Sequence, residues 1–317
     1  MPGVSPLPPA VQVELCASIS DPTVSVVMAN HNKREYLAGS IESVLAQTMA
    51  NFELLVVDDA STDDSFEIAR RYAERETKIT LIRNETRRGA ATARNTGIRI
   101  SRAPIIAFLD SDDVYAPTKL EKQLNLLQRA NTPTVVYSDC WRIDERGTIL
   151  PPTRWNYGES GMIFPDVLAD KFGVKMTIMV PRVCFKEAGL FDEIFPYYED
   201  LEMVLRLSRR YPFTCIDEKL YGYRIFSGNI RNRLGPVIVN SARGRIFENY
   251  YRTFGSSLSP DQRISAILNL TKCFRRSNQR TKMLRYGLSS STSFKYLFFE
   301  SYLGKGLRRA IRSAGSQ

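Results

Sequence analysis

The chain has 317 residues, 43% of them hydrophobic, with 44 Lys and Arg against 34 Asp and Glu and a single histidine. Its apolar runs, such as residues 24–29 and 104–109, are far too short to span a bilayer. Five scattered cysteines without a CxxC pair argue against a disulfide framework or zinc site and fit a reducing, cytoplasmic setting. Charge is uneven: residues 231–317 hold 17 Lys and Arg against 3 Asp and Glu, and the rest hold 27 against 31. A mildly acidic body thus carries a basic tail suited to phosphates of a membrane surface or nucleic acid.

Residues 1–20 open with MPGVSPLPPA and read as a disordered, Pro-rich N-terminus without the basic start and apolar stretch of a secretory signal. Residues 24–29 (VSVVMA) form a β-branched buried strand, followed by a turn and a helix over 34–48 with Leu37, Ile41, Val44 and Leu45 on one face. A second strand, 52–57 (FELLVV), ends in Asp58-Asp59; a helix over 63–76 and a strand over 79–82 follow. Gly89 opens a helix to Ile100, and the fourth strand, 105–109, runs into Asp110-Ser111-Asp112-Asp113. Strands alternating with helices imply a doubly wound, mostly parallel sheet. Beyond it lie a helix over 117–130, a strand over 134–138, a Gly- and Pro-rich loop over 144–165, a strand over 176–180, a short helix to Ala188 and a helix from Glu199 to Arg210. From about 238 the pattern is helical throughout.

Ligands of such sheets bind at the carboxyl ends of the strands. Two strands there end in acids, Asp58-Asp59 and Asp110/Asp112/Asp113, with Glu199-Asp200 as a third acidic element. Clustered carboxylates repel one another unless a cation joins them, and Mg²⁺ or Mn²⁺ prefers such oxygens. The alternative for each cluster is a solvated acidic turn or a helix cap.

The stretches VSVVMANHNKREYLAGSIESVLAQT, FELLVVDDASTDDS, RGAATARNTGI, PIIAFLDSDDVYAPTKLE, KEAGLFDE, YYEDLEMVLRL and DEKLYGYR occur in this order across residues 23–226. Together they resemble the family 2 glycosyltransferases of GT-A fold, inverting enzymes that use nucleotide-diphosphate sugars. The resemblance implies a Rossmann-like doubly wound sheet with a nucleotide-binding half over 21–130, an acceptor half over 131–230 and, beyond the matched part, a basic helical appendage over 231–317. It places Ala29 and Asn30 along the base and ribose, and Asp59 on the base edge, usually uracil. Arg94 falls near the nucleotide, although an ion pair with neighbouring acids is an equal use of its fork. Asp110 and Ser111 complete the nucleotide set, Asp112 is the ligand of a divalent Mn²⁺ or Mg²⁺, and Asp200 is the base that takes the acceptor's proton, with Glu199 as its neighbour. In two places the chain departs from the family: His31 stands where an aromatic is usual, and Phe226 where a histidine often follows the Tyr-Arg pair.

The function implied is transfer of a sugar from a UDP-linked donor to a glycan or lipid-linked acceptor in cell-surface polysaccharide synthesis. The basic tail, including residues 294–312 (FKYLFFESYLGKGLRRAIR), would then hold the enzyme peripherally on the inner face of the cytoplasmic membrane, or else pack as a helical cap with a solvated basic face. No nucleic-acid motif is evident. Two rival readings stand beside this one. A haloacid-dehalogenase-like phosphatase would need its DxD on the first strand rather than the fourth, and a non-catalytic nucleotide-sugar-binding scaffold would not need Asp59, Asp112 and Asp200 together.

Overall fold

The computed structural model describes residues 11–152, 158–174 and 176–288. In chain order the first half runs β1 (Val11–Leu15), β2 (Val24–Asn30), α1 (Leu37–Leu45), β3 (Phe52–Asp59), α2 (Ser65–Ala73), β4 (Ile79–Asn84), α3 (Ala90–Ile100) and β5 (Ile105–Asp110). It continues with β6 (Val114–Tyr115), α4 (Lys119–Arg129), β7 (Val135–Ile143), α5 (Phe164–Leu168), β8 (Met179–Pro181), α6 (Val183–Ala188), α7 (Glu199–Ser208) and β9 (Phe213–Arg224). The helices α8 (Ile230–Phe254), α9 (Pro260–Arg276) and α10 (Arg280–Leu288) follow.

The sheet has the order β1-β4-β3-β2-β5-β8-β7-β9-β6. Strands β2 to β5 are mutually parallel where they pair, and β7 and β9 are parallel; β1, β6 and β8 run antiparallel to their neighbours. The mostly parallel GT-A sheet read from sequence is therefore present, with antiparallel insertions. Strands β2 and β3 are buried on both faces and so read as mainly hydrophobic runs, with buried Ser25 donating to Glu53 at 2.6 Å between them. Their core of Val24, Val26, Met28, Leu54 and Val56 packs with Leu37, Ile41 and Val44 of α1. Helix α3 lies close on β2 because Gly97 has no Cβ; an added one would collide with Val27.

Three sequence readings are corrected. Residues 11–15 form an edge strand rather than a disordered segment: the prolines end at Pro9, and VQVEL pairs antiparallel with β4. The strand expected over 176–180 begins later, at Met179, because only its end pairs with β5 and β7. The strand expected over 134–138 extends to Ile143, drawn out by its parallel partner β9, which passes through register shifts near Asp139.

The chain divides into two compact units. Of the described residues, one unit contains those up to Phe164 together with those from Phe172 to Phe226; the other contains Pro165–Lys171 and those from Ser227 to Leu288. In the second unit, α9 begins with a capping box in which Ser259 and Gln262 satisfy each other's backbone N–H groups. Arg243 pairs with Asp170 at 2.5 Å and Lys282 with Glu248 at 2.6 Å, so part of the basic excess is used internally. Residues 294–312, read as a membrane-facing segment, lie outside the described residues.

Candidate active site

The sheet register builds the site. Ala29 at the end of β2 pairs with Val57 on one side and Asp110 on the other, and Asn30 pairs with Asp58. Chain order reverses direction across β2, so the ends of β3 and β5 flank one crevice, the switch point where open α/β sheets take ligands.

On the β3 side the acids are satisfied by neutral donors. Buried Asp58 accepts from Asn30 Nδ2 at 2.8 Å and from the Ser61 N–H at 2.9 Å. Asp59 accepts from Asn84 Nδ2 (2.8 Å) and from the N–H groups of Arg88 (2.9 Å) and Gly89 (2.7 Å). Asp59 therefore clamps the entrance to α3. Gly89 caps that helix at φ 94°, ψ 164°, a conformation essentially reserved for glycine. A carboxylate has about four acceptor sites, so these three donors leave Asp59 capacity for one more. His31 donates from Nδ1 to the Asp59 carbonyl at 2.8 Å, which fixes its ring beside this end of the crevice.

On the β5 side the partners are charged. Buried Arg94 of α3 donates to Asp110 Oδ1 at 2.6 Å and to Glu199 Oε1 at 2.5 Å. Burial opposes its charge, but Asp110 and Glu199 outweigh burial and hold the guanidinium above its ordinary range. Of the two uses foreseen for Arg94, the structure shows the ion pair. That pair ties the acidic loop after β5 to the start of α7. Asp112 pairs with Lys33 Nζ at 2.6 Å. Asp113 is buried and accepts from Tyr221 Oη at 2.8 Å and from the Arg224 N–H at 2.7 Å. Burial, then Asp112 and Asp110, push its carboxyl well above the usual range. Arg224 Nε donates to the Asp112 carbonyl at 2.7 Å, so β9 braces the acidic loop from below. Ser111 is buried in the same loop, and its carbonyl accepts from Ser40 Oγ at 3.0 Å.

Helix α7 begins immediately after Tyr198, which adopts the left-handed conformation (φ 65°, ψ 25°). A bulky residue there costs on the order of 1–3 kcal/mol and is a mark of functional sites. The turn sets Glu199 and Asp200 in the first helical turn. Burial, and next the Glu199 charge, raise the Asp200 carboxyl to about 6, against the pull of Arg94. A carboxyl poised near neutrality is suited to proton transfer.

Among the described residues no three Asp, Glu, His or Cys side chains converge as a ready-made metal cage. Asp110 is engaged by Arg94, Asp112 by Lys33, and Asp113 by Tyr221 and Arg224; of these partners the Lys33 side chain is the flexible one, so Asp112 is the acid whose partner could give way to a divalent ion. One carboxylate together with substrate phosphates and water is an ordinary environment for Mg²⁺. Lys33, Tyr221 and Arg224 were missed by sequence reasoning. Tyr221 and Arg224 stood in a quoted motif without an assigned role, and nothing in the spacing links Lys33 to an acid 79 positions away.

Residues 25–187 match the sequence profile described as Glycosyl transferase family 2. The chain belongs to this family. An uncharacterised glycosyltransferase of Methanocaldococcus jannaschii is 32% identical over 217 residues, covering 67% of this chain and 73% of the relative. The Escherichia coli UDP-Glc:alpha-D-GlcNAc-diphosphoundecaprenol beta-1,3-glucosyltransferase WfaP is 33% identical over 161 residues, covering 48% of this chain and 62% of WfaP. Among solved structures, S. aureus TarS 1–349 in complex with UDP-GlcNAc superposes with a TM-score of 0.59 at 16% identity, covering 81% of this chain and 82% of TarS 1–349. The complex of the same protein with UDP gives 0.54 at 17% identity with the same coverage. These likenesses establish the GT-A fold, and the family makes this chain a glycosyltransferase rather than a phosphatase. Among the described residues of the transferase no helix is long and apolar enough to cross a membrane.

Proposed function

We propose that this glycosyltransferase moves a sugar from a UDP-linked donor to a hydroxyl of a glycan or lipid-linked acceptor with inversion at the anomeric carbon, in synthesis of a cell-surface polysaccharide. The observation that carries the reading is the position of Asp200: the first turn of α7, joined through Glu199 and Arg94 to the Asp110 loop, with a carboxyl raised to about 6. In this reading Ala29, Asn30 and Asp59 receive the base and ribose, and Asp110 and Ser111 the ribose and diphosphate. Asp112 holds a divalent ion, Mn²⁺ or Mg²⁺, which when bound offsets charge on the departing nucleotide.

Asp200 accepts the proton of the acceptor hydroxyl as that oxygen attacks the sugar carbon from the face opposite the diphosphate, which inverts the configuration. Arg94 acts at one remove: it keeps Asp110 and Glu199 in place and so fixes the distance between the donor loop and α7. The UDP-linked donor and lipid-linked acceptor are supported by the reaction named for WfaP and by the UDP and UDP-GlcNAc complexes of TarS. The basic excess from residue 231 is suited to an anionic membrane that carries such an acceptor.

The test is Asp200→Asn. Transfer should fall by about 10²–10⁴, the usual contribution of a general base, while UDP binding measured by calorimetry stays at the wild-type value. Loss of both would make Asp200 a structural residue and overturn its assignment as base.

A further inference from the structure

The Lys33 ammonium sits between a carboxylate and an aromatic ring. Its ammonium is 2.6 Å from Asp112 Oδ2 and lies 4.6 Å from the centre of the Phe226 ring. That ring packs in turn against Tyr36 at 4.8 Å between centres. Phe226 offers a cation a π face but no ligand atom. The backbone of Lys33 is fixed: its N–H donates to Ser65 Oγ at 2.8 Å, and Asn32 before it is held at φ 52° with its own N–H on Ser61 Oγ at 3.0 Å. What can move is the side chain, a flexible four-carbon stem bearing three donors. Asp112 takes one of them.

We propose that the Lys33 ammonium is an internal counter-ion that competes with a divalent metal for Asp112 and, once displaced, turns its donors to the diphosphate of the donor substrate. This rests on the transferase reading above and assigns Lys33 a place in it. A dication on Asp112 and an ammonium within hydrogen-bonding distance of the same carboxylate repel each other strongly in a partly buried site. Metal alone should therefore bind weakly, since it must expel Lys33 with nothing to receive it. A nucleotide diphosphate supplies the receiving oxygens, so metal and nucleotide should each tighten the other's binding by the same factor. The Phe226 ring would give the ammonium a surface to slide over between its two partners.

The test uses full-length wild type, Lys33→Met and Lys33→Arg, each checked for folding by circular dichroism. Calorimetry would measure Mn²⁺ alone, UDP in EDTA, and UDP with saturating Mn²⁺. Lys33→Met should bind Mn²⁺ alone more tightly than wild type and UDP with saturating Mn²⁺ about tenfold more weakly, the size of one charge-assisted hydrogen bond, with UDP in EDTA changed less. Lys33→Arg should restore both values towards wild type. A side chain that merely supports the loop would weaken both ligands together, and that result would overturn the proposal. So would wild-type affinities for both in Lys33→Met. Wild-type protein that binds no UDP even with Mn²⁺ would instead sink the UDP-donor reading on which the proposal stands.

Discussion

The two ends of the crevice neutralise their acids in different ways. Around Asp58 and Asp59 the partners are neutral: Asn30, Asn84 and the main-chain N–H groups of Ser61, Arg88 and Gly89. Around Asp110, Asp112, Asp113, Glu199 and Asp200 the ion pairs are made by Arg94 and Lys33. Burial, and after it the neighbouring carboxylates, raises the carboxyls of Asp113 and Asp200 there. In the proposed reading, the base end is set by backbone geometry, whereas the diphosphate end is the one that receives a cation.

The most severe way to break this contrast is to remove the proton acceptor. Asp200→Asn should cost about 10²–10⁴ in transfer rate with nucleotide binding intact, read by comparing turnover with calorimetry. Next comes Arg94→Met, which strands Glu199 and Asp110 without their cation. Breaking a buried pair typically costs about 3–5 kcal/mol, to be read as a lowered denaturation midpoint; an unchanged midpoint would mean the Arg94 bridge adds nothing to the fold.

On the other side of the comparison, Gly89→Ala should cost about 1–3 kcal/mol, because it forces a side chain into a glycine-only conformation. It should also weaken uridine binding, since the same turn presents its N–H to Asp59. The smallest expected effect is a pH dependence. Asp200 is raised from 3.8 to about 6, so the folded protein holds that proton more tightly than the unfolded chain does. Stability from this group is full below about pH 4 and is lost as pH rises through about 6. Asp200→Asn should therefore be more stable than wild type by about 1–2 kcal/mol at pH 7.5, and the gap should close near pH 4. A gap that stays constant over that range would show that the carboxyl is not raised.

How much of this was legible beforehand follows the same division. Strands β2 to β5 could be read because each is buried on both faces and so appears as a mainly apolar run, broken only by single buried polar residues such as Ser25, Glu53 and Thr80. Strand β9 was harder: Asp217, Glu218 and Lys219 are exposed in its middle, and its regularity depends on pairing with β7. Among the site residues, the acids stood out because strand ends concentrated them. Their partners did not. Arg94 was seen, but its choice between phosphate and carboxylate depends on Glu199, 105 positions away, and Lys33 meets Asp112 across a comparable gap. Strand β1 was hidden by the prolines before it, although its own residues carry the alternation of an edge strand.

The central claim, that the diphosphate end awaits cations and the base end does not, is tested most directly by titrating wild type and Asp112→Ala with uridine and with UDP, each with and without Mn²⁺. The account predicts that uridine binds equally well in all four settings, and that Mn²⁺ tightens UDP for wild type alone. Mn²⁺ acting on uridine as strongly as on UDP, or on UDP in Asp112→Ala as in wild type, would contradict it.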